Sequence, residues 1–271
     1  MRRVAFAYPA DLDPRWHPRL PELAIAANAV SLLMPHAEPY VVRSVRAVLA
    51  DLPGELADQA EAYARQEAQH HAQHHRFNAL VRRRYPGLAR VDGWMRRTFA
   101  WLARRRSNRF HLAFAAGFEA VAYAAARWVD GRVTDLFRGA DPVPATLLLW
   151  HLGEEVEHKS VAHDVHRHLG GSRWGYAGGM LTAAVVLAWF SVLGTLVMLW
   201  RDRRIWSPLS HLRLCRWTFS FVFELLPTMA VSALRDHHPA DFADPVWLTT
   251  WLRQYDPATG TMPEYSLSFL E

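Results

Sequence analysis

At 271 residues and a formal net charge of +5, the chain is long enough to bury a substantial core as one large domain or one and a half. Its single cysteine, Cys215, excludes an intramolecular disulfide and a thiolate metal site. The basic residues are almost all arginine, with Lys159 the one lysine, and they are scattered along the chain. With no zinc-finger, RNA-binding or helix-turn-helix signature, nucleic acid is not an expected partner. Twelve tryptophans beside that positive charge suit a membrane surface.

Long Ala/Leu/Val/Arg stretches punctuated by Pro and Gly predict an all-α chain. Residues 1–22 read as an irregular N-terminal arm. They hold no sustained apolar run before Asp11 and Asp13, so no signal peptide is expected. An apolar run over 23–34 leads into Pro35-His36-Ala37-Glu38-Pro39, and a helix is expected from Glu38 or Pro39 to about Ala50. A long second helix covers 55–83 and stops at Tyr85-Pro86-Gly87. Residues 88–106, with Trp94 and Trp101, read as a connecting segment. Ser107-Asn108 can cap a third helix that runs to Val129 and carries Glu119 as its only acid. A fourth begins at Pro142 or Pro144 and ends at Gly170-Gly171.

Residues 174–200 carry no charge, and about 20 such residues suffice to cross a bilayer's hydrocarbon core. Trp174, Tyr176, Trp200 and Trp206 lie at its ends like an interfacial belt, and Arg201, Arg203 and Arg204 follow. A second apolar helix over 217–234 holds Glu224 and Pro227, which suit it less to spanning. Three placements remain open: a span, a buried helix in a large bundle, or a re-entrant or monotopic hairpin. The expected location is the cytoplasmic side of an inner membrane. A short helix over 245–255 and an irregular tail complete a division into 1–22, 23–170, 171–235 and 236–271.

Two stretches carry the chemistry. An α-helix turns about 100° per residue, so His151, Glu155 and His158 fall within about 60° of one another on one face. Glu67, His70 and His74 repeat the arrangement. In chain order there follow an isolated Glu38, Glu67-x-x-His70, an isolated Glu119 and Glu155-x-x-His158. One Glu from each of two helices and one ExxH from each of two others is the ligand set with which four-helix bundles hold two iron or manganese ions. Four carboxylates neutralise two divalent cations, and a buried carboxylate needs such compensation. The expected ligands are therefore Glu38, Glu67, His70, Glu119, His151, Glu155 and His158. His74, Glu154 and Asp164 are candidates for further ligands or for groups that orient a ligand. Iron is the expected metal, with manganese or zinc as alternatives.

The order Glu, ExxH, Glu, ExxH resembles the ferritin-like di-iron carboxylate superfamily. The stretches Gln66-Glu67-x-x-His70-x-x-x-His74-x-x-Phe77-Asn78 and Trp150-His151-x-x-Glu154-Glu155-x-Glu157-His158-Lys159-Ser160-Val161-Ala162 look like a bacterial family labelled predicted metal-dependent hydrolases, with the likeness covering roughly 20–235. The motif His151-x-x-x-Glu155-x-x-His158 is also similar to that of arylamine N-oxygenases, whose added His ligates one iron of an oxygen-activating pair. These resemblances imply a ferritin-like four-helix bundle, extended here by an apolar C-terminal helical pair. Glu38 departs from the pattern: it stands before Pro39, which biases it away from helical geometry.

The first functional expectation is activation of dioxygen at a di-iron pair, oxidising a small hydrophobic or membrane-delivered substrate with electrons from a separate donor. The alternatives are a metal-dependent hydrolase using metal-bound water, and a non-catalytic metal-binding, membrane-associated protein. A homodimer is compatible with each.

Overall fold

Two prolines sit inside the first helix without breaking it. In a computed structural model describing residues 4, 6–234, 237–256 and 258, α1 runs unbroken over Pro21–Arg46 through Pro35 and Pro39. Each proline removes one helical N–H and strands the carbonyl four residues earlier. The second helix, α2 (Gly54–Arg84), supplies a replacement donor for the first of these carbonyls. Asn78 Nδ2 donates to the Ser31 carbonyl at 2.7 Å, in place of the N–H that Pro35 lacks. The expected break before Glu38 is therefore absent. Glu38 projects from regular helix into the interior, fully buried.

The remaining helices are α3 (Leu88–Arg105), α4 (Asn108–Val129), α5 (Val133–Phe137), α6 (Pro142–Glu157), α7 (Val161–His168), α8 (Arg173–Arg201), α9 (Pro208–Leu234) and α10 (Val246–Leu252). Every regular helix or strand among the described residues is helical, so the chain is an all-α bundle. The region 88–106 is a helix rather than a connector. Val91, Met95, Phe99 and Leu102 recur every three or four residues and bury one stripe, while the arginines between them face water. Ser107 caps α4 as expected, accepting from Phe110 N. The expected fourth helix is two: His158 leaves helical geometry (φ −112°, ψ 16°), and α7 starts afresh at Val161. The second apolar helix begins nine residues earlier than expected, at Pro208.

The arm before α1 is irregular but anchored. Trp16 Nε1 donates to Asn28 Oδ1 at 3.0 Å, and buried His17 bonds the Leu136 carbonyl at 2.8 Å. Helices α4 and α8 pack backbone to backbone: a β-carbon on Gly117 would strike Met180, and one on Gly179 would strike Ala113. Farther along α8, Gly194 faces Ala29 of α1. Behind α6, Gly153 makes room for Trp251 and Leu248 of α10.

Glu22, buried in the first turn of α1, ties that end to the start of α9. It accepts from Ser210 at 2.5 Å, Arg204 at 3.1 Å and Arg213 at 3.0 Å. Burial alone would raise its pKa, but the Ser210 and Arg213 hydrogen bonds outweigh burial and hold it below the usual value. A carboxylate depressed in the folded state adds stability above its unfolded pKa and loses it as pH falls through the folded one. Glu22→Gln is expected to cost about 1–2 kcal/mol at pH 7, since both guanidinium groups keep some solvent. Urea unfolding at pH 7 and pH 3.5 checks this, with the gap to the parent closing at the lower pH.

Candidate metal centre

Helices α1, α2, α4 and α6, with the joint after α6, send acidic and imidazole side chains to one buried place. Glu38, Glu67, His70, Glu119, Glu154 and Glu155 are fully buried, and His74, His151 and His158 nearly so. Donor atoms of Glu67, His70, Glu155 and His158 lie within 4.8 Å of one another, as do those of Glu38, His74 and His151. His151 joins the two groups, with Nε2 2.7 Å from Glu155 Oε1 and 3.8 Å from Glu38 Oε1.

The directions of the hydrogen bonds sort these side chains. His70 turns Nε2 to Glu154 Oε2 at 3.1 Å, and Trp150 Nε1 holds the other Glu154 oxygen at 3.1 Å. That leaves His70 Nδ1 free, 3.3 Å from Glu67 and 3.5 Å from Glu155. His158 turns Nδ1 to Glu119 Oε2 at 3.0 Å, and Tyr63 donates to Glu119 Oε1 at 2.6 Å. That leaves His158 Nε2 free, 3.3 Å from Glu67 Oε1. Glu154 and Glu119 thus play matching parts, each steering one imidazole so that its other nitrogen faces the centre.

A third line runs outward from His151. Asn78 Nδ2 donates to a carbonyl, so its Oδ1 accepts from Ser31 Oγ at 2.7 Å. Ser31 Oγ then accepts from His74 Nδ1 at 2.8 Å, and His74 Nε2 accepts from His151 Nδ1 at 2.6 Å. His151 Nε2 is left with a lone pair aimed at two carboxylates.

The centre is rich in acceptors and poor in donors. Both oxygens of Glu38, both of Glu67, Glu155 Oε2, His70 Nδ1 and His158 Nε2 are buried without a hydrogen-bond partner. Orphaned buried acceptors are costly, and several converging on one point demand protons or cations. This donor set fits divalent metal ions.

Burial, reinforced by neighbouring carboxylates, holds Glu38 and Glu155 well above the usual carboxylate range. Burial opposes charge on His70, but Glu154 and Glu67 prevail and push it up to about 10. At His158, Glu119 likewise outweighs burial and raises the pKa. Burial lowers His74 to about 3 and drives His151 well below its ordinary value. Groups with raised pKa hold protons that a cation must displace, so metal binding is expected to release protons and tighten as pH rises. Titration calorimetry in Tris and in phosphate at pH 7 checks this: the apparent enthalpy should differ by the buffers' ionisation enthalpies times the protons released.

Measured against expectation, Glu38, Glu67, His70, Glu155, His158 and His151 face the centre. Glu119 adjoins it, within hydrogen-bonding reach of Glu155, but both its oxygens serve Tyr63 and His158. His74 backs His151, and Glu154, which lies off the main face, is buried behind His70. Asp164 belongs elsewhere. The break after His158 turns α7 away, and Asp164 pairs with His238 at 2.6 Å and lies 3.5 Å from His163. Sequence reasoning missed Ser31 and Tyr63, and quoted Asn78 in a motif without giving it a role. Each stands four or seven residues from a donor, Ser31 at Glu38−7, Tyr63 at Glu67−4 and Asn78 at His74+4, so helical periodicity alone would place them on the same faces.

An apolar cavity reaches this centre. His74, His151 and Glu155 form its floor, and Val30, Phe118, Leu148 and Leu187 are among its walls.

Fold and site together define a helical-bundle protein with buried His/Glu metal-binding groups. The chain belongs to the family described as predicted metal-dependent hydrolase, whose model matches residues 1–243. No curated protein and no solved structure matches it.

Proposed function

We propose that this chain is a metal-dependent hydrolase that holds two divalent cations and acts on a small substrate with an apolar body. The observation that carries the proposal is the convergence of orphaned donor atoms of Glu38, Glu67, His70, Glu155 and His158 in one buried centre, which an apolar cavity reaches at Glu155 and His151. Family membership supports the reaction class. When bound, the cations would supply Lewis acidity, bringing the pKa of a coordinated water towards neutrality and polarising the bond to be cleaved.

The chain's own residues do the rest. Glu38, Glu67, His70, Glu155 and His158 would hold the cations, with His151 Nε2 beside them. Glu154 and Glu119 keep the two ExxH imidazoles turned inward. The Asn78–Ser31–His74 line keeps a proton on His151 Nδ1 and so keeps Nε2 unprotonated. Phe118, Leu147 and Leu148 receive the apolar body and exclude bulk water from the floor.

A second reading is oxygen activation at a di-iron pair in a ferritin-like bundle, with an external electron donor. What favours it is the preponderance of carboxylates in a closed apolar interior, a donor set that suits iron and tempers Lewis acidity. One experiment separates the two. Protein reconstituted with zinc, manganese or iron(II) under argon is offered p-nitrophenyl esters of graded acyl length. Hydrolysis under argon with zinc or manganese, improving with acyl length, is expected. Turnover that needs iron(II) and consumes dioxygen would overturn the hydrolase reading in favour of the second.

A further inference from the structure

Helix α8 is long and apolar enough to cross a membrane, yet only 22% of its most apolar window is buried inside the protein, and for α9 the share is 6%. The exposed part of α8 is one stripe. Leu181, Val185, Trp189, Val192 and Leu196 recur every three or four residues along the side opposite the bundle. On α9, Leu212, Phe219 and Phe223 are exposed likewise, Phe223 by 71%. Together the two helices leave large apolar side chains bare along most of their length, the mark of a surface that meets a partner.

The acids around this plate are paired, Glu224 with Arg132 and Asp202 with Arg84, so the unpaired charge is positive. No charged residue lies within α8 between Arg173 and Arg201. Exposed Trp174 stands at one end with the Arg173 guanidinium 5.3 Å from its ring centroid, and Trp200 and Trp206 stand at the other beside exposed Arg201 and Arg203. The one acid on α9, Glu224, is paired with Arg132. Tryptophan at the rim, arginine beyond it and no unpaired carboxylate between complement an anionic lipid surface.

A transmembrane placement conflicts with the packing. α8 is fastened to α4 at Gly117 and Gly179 and to α1 at Gly194, so it cannot cross a bilayer without taking the bundle with it. α3 also packs on α8 and exposes Arg90, Arg96, Arg97, Arg104 and Arg105. An arginine placed at mid-membrane is strongly disfavoured. We infer that α8 and α9 lie in the plane of an anionic membrane and seat the bundle on one leaflet without spanning it.

The cavity above the metal centre counts Leu187 of α8 among its walls. If the centre is the catalytic site proposed above, on which this clause rests, its substrate is a lipid-soluble molecule drawn from that leaflet. The seating itself does not depend on catalysis.

The test uses the full chain and vesicles, with no activity readout. Flotation with phosphatidylcholine/phosphatidylglycerol vesicles should show binding that weakens about fivefold on pure phosphatidylcholine. The double substitution W189E/F223E should lower binding about tenfold or more, and W189S/F223S should lower it less. Circular dichroism should stay unchanged in both, because both side chains face outward. Depth is then read from spin labels at L181C, V185C, W189C, V192C and L196C in a Cys215→Ser background. An in-plane helix gives one shallow depth along roughly 22 Å of helix. A profile deepest near Trp189 and shallow at both ends would show a span and overturn the inference. So would failure to bind any vesicle, or a vesicle-free dimer that W189E/F223E dissociates, which would assign the plate to a second copy of the chain.

Discussion

Glu67→Gln protein is expected to emerge from purification without its cations. Glu67 offers two orphaned oxygens and stands 3.3 Å from both His70 Nδ1 and His158 Nε2, so it faces both ExxH imidazoles at once. Losing it should weaken metal binding by more than the ~10–100-fold that follows loss of an outer hydrogen-bond partner. Glu154→Gln, which disturbs only the steering of His70, should fall within that range. Elemental analysis against a parent holding about two cations per chain reads the difference. Stability should move the opposite way. Stripped of metal, the parent keeps both oxygens of Glu38 and of Glu67 buried without a hydrogen-bond partner, and the amide relieves part of that cost. Metal-free Glu67→Gln is therefore expected to be more stable than the metal-free parent by roughly 1–3 kcal/mol. A purely structural role for Glu67 predicts the reverse, so chemical unfolding of the two chelated proteins discriminates.

Gly117→Val should be among the most damaging single changes outside the centre. The added carbons would meet the Met180 backbone rather than a yielding side chain, so α4 and α8 must part. Overpacking usually costs about 1–3 kcal/mol, and a clash with a neighbouring helix's main chain belongs at or above the top of that range. Gly178→Ala is the control. Nothing lies within 4 Å of the new methyl, so this exposed helical glycine should gain about 0.5–1 kcal/mol from propensity alone. Thermal unfolding of the pair checks both signs. Because α4 carries Glu119, Gly117→Val should also loosen the grip on His158.

Much of the centre could be read from helical periodicity. Glu67, His70, Glu155 and His158 fall on common faces whatever the tertiary structure, and these faces do converge. The ends of α2 and α4 were legible for the same local reason: Tyr85-Pro86-Gly87 and Ser107 act within one turn. What was not legible depends on partners distant in the chain. The passage of α1 through Pro35 draws on Asn78, some forty residues on. The assignment of Glu119 and Glu154 as steering groups depends on which imidazole nitrogen each meets, and no spacing rule encodes that. The apolar stripe of α3 was within reach. It was masked by its arginines and by exposed Trp94 and Trp101, which break the visual pattern without breaking the period.

The mended proline of α1 bears on how the protein matures. The Ser31 carbonyl of α1 stays bare until α2 arrives, so the first helix has less reason to form while it leaves the ribosome alone. Glu38 lies between the two prolines and gains its inward aim only in the docked pair. A nascent or unfolded chain offers its histidines and acids to metal as loose, competing chelators, whereas the finished pocket exists only after α1 and α2 have joined. Loading with the right ion therefore belongs to a late, folded stage, when the shape of the site can choose among metals that a flexible chain would take in order of sheer stickiness.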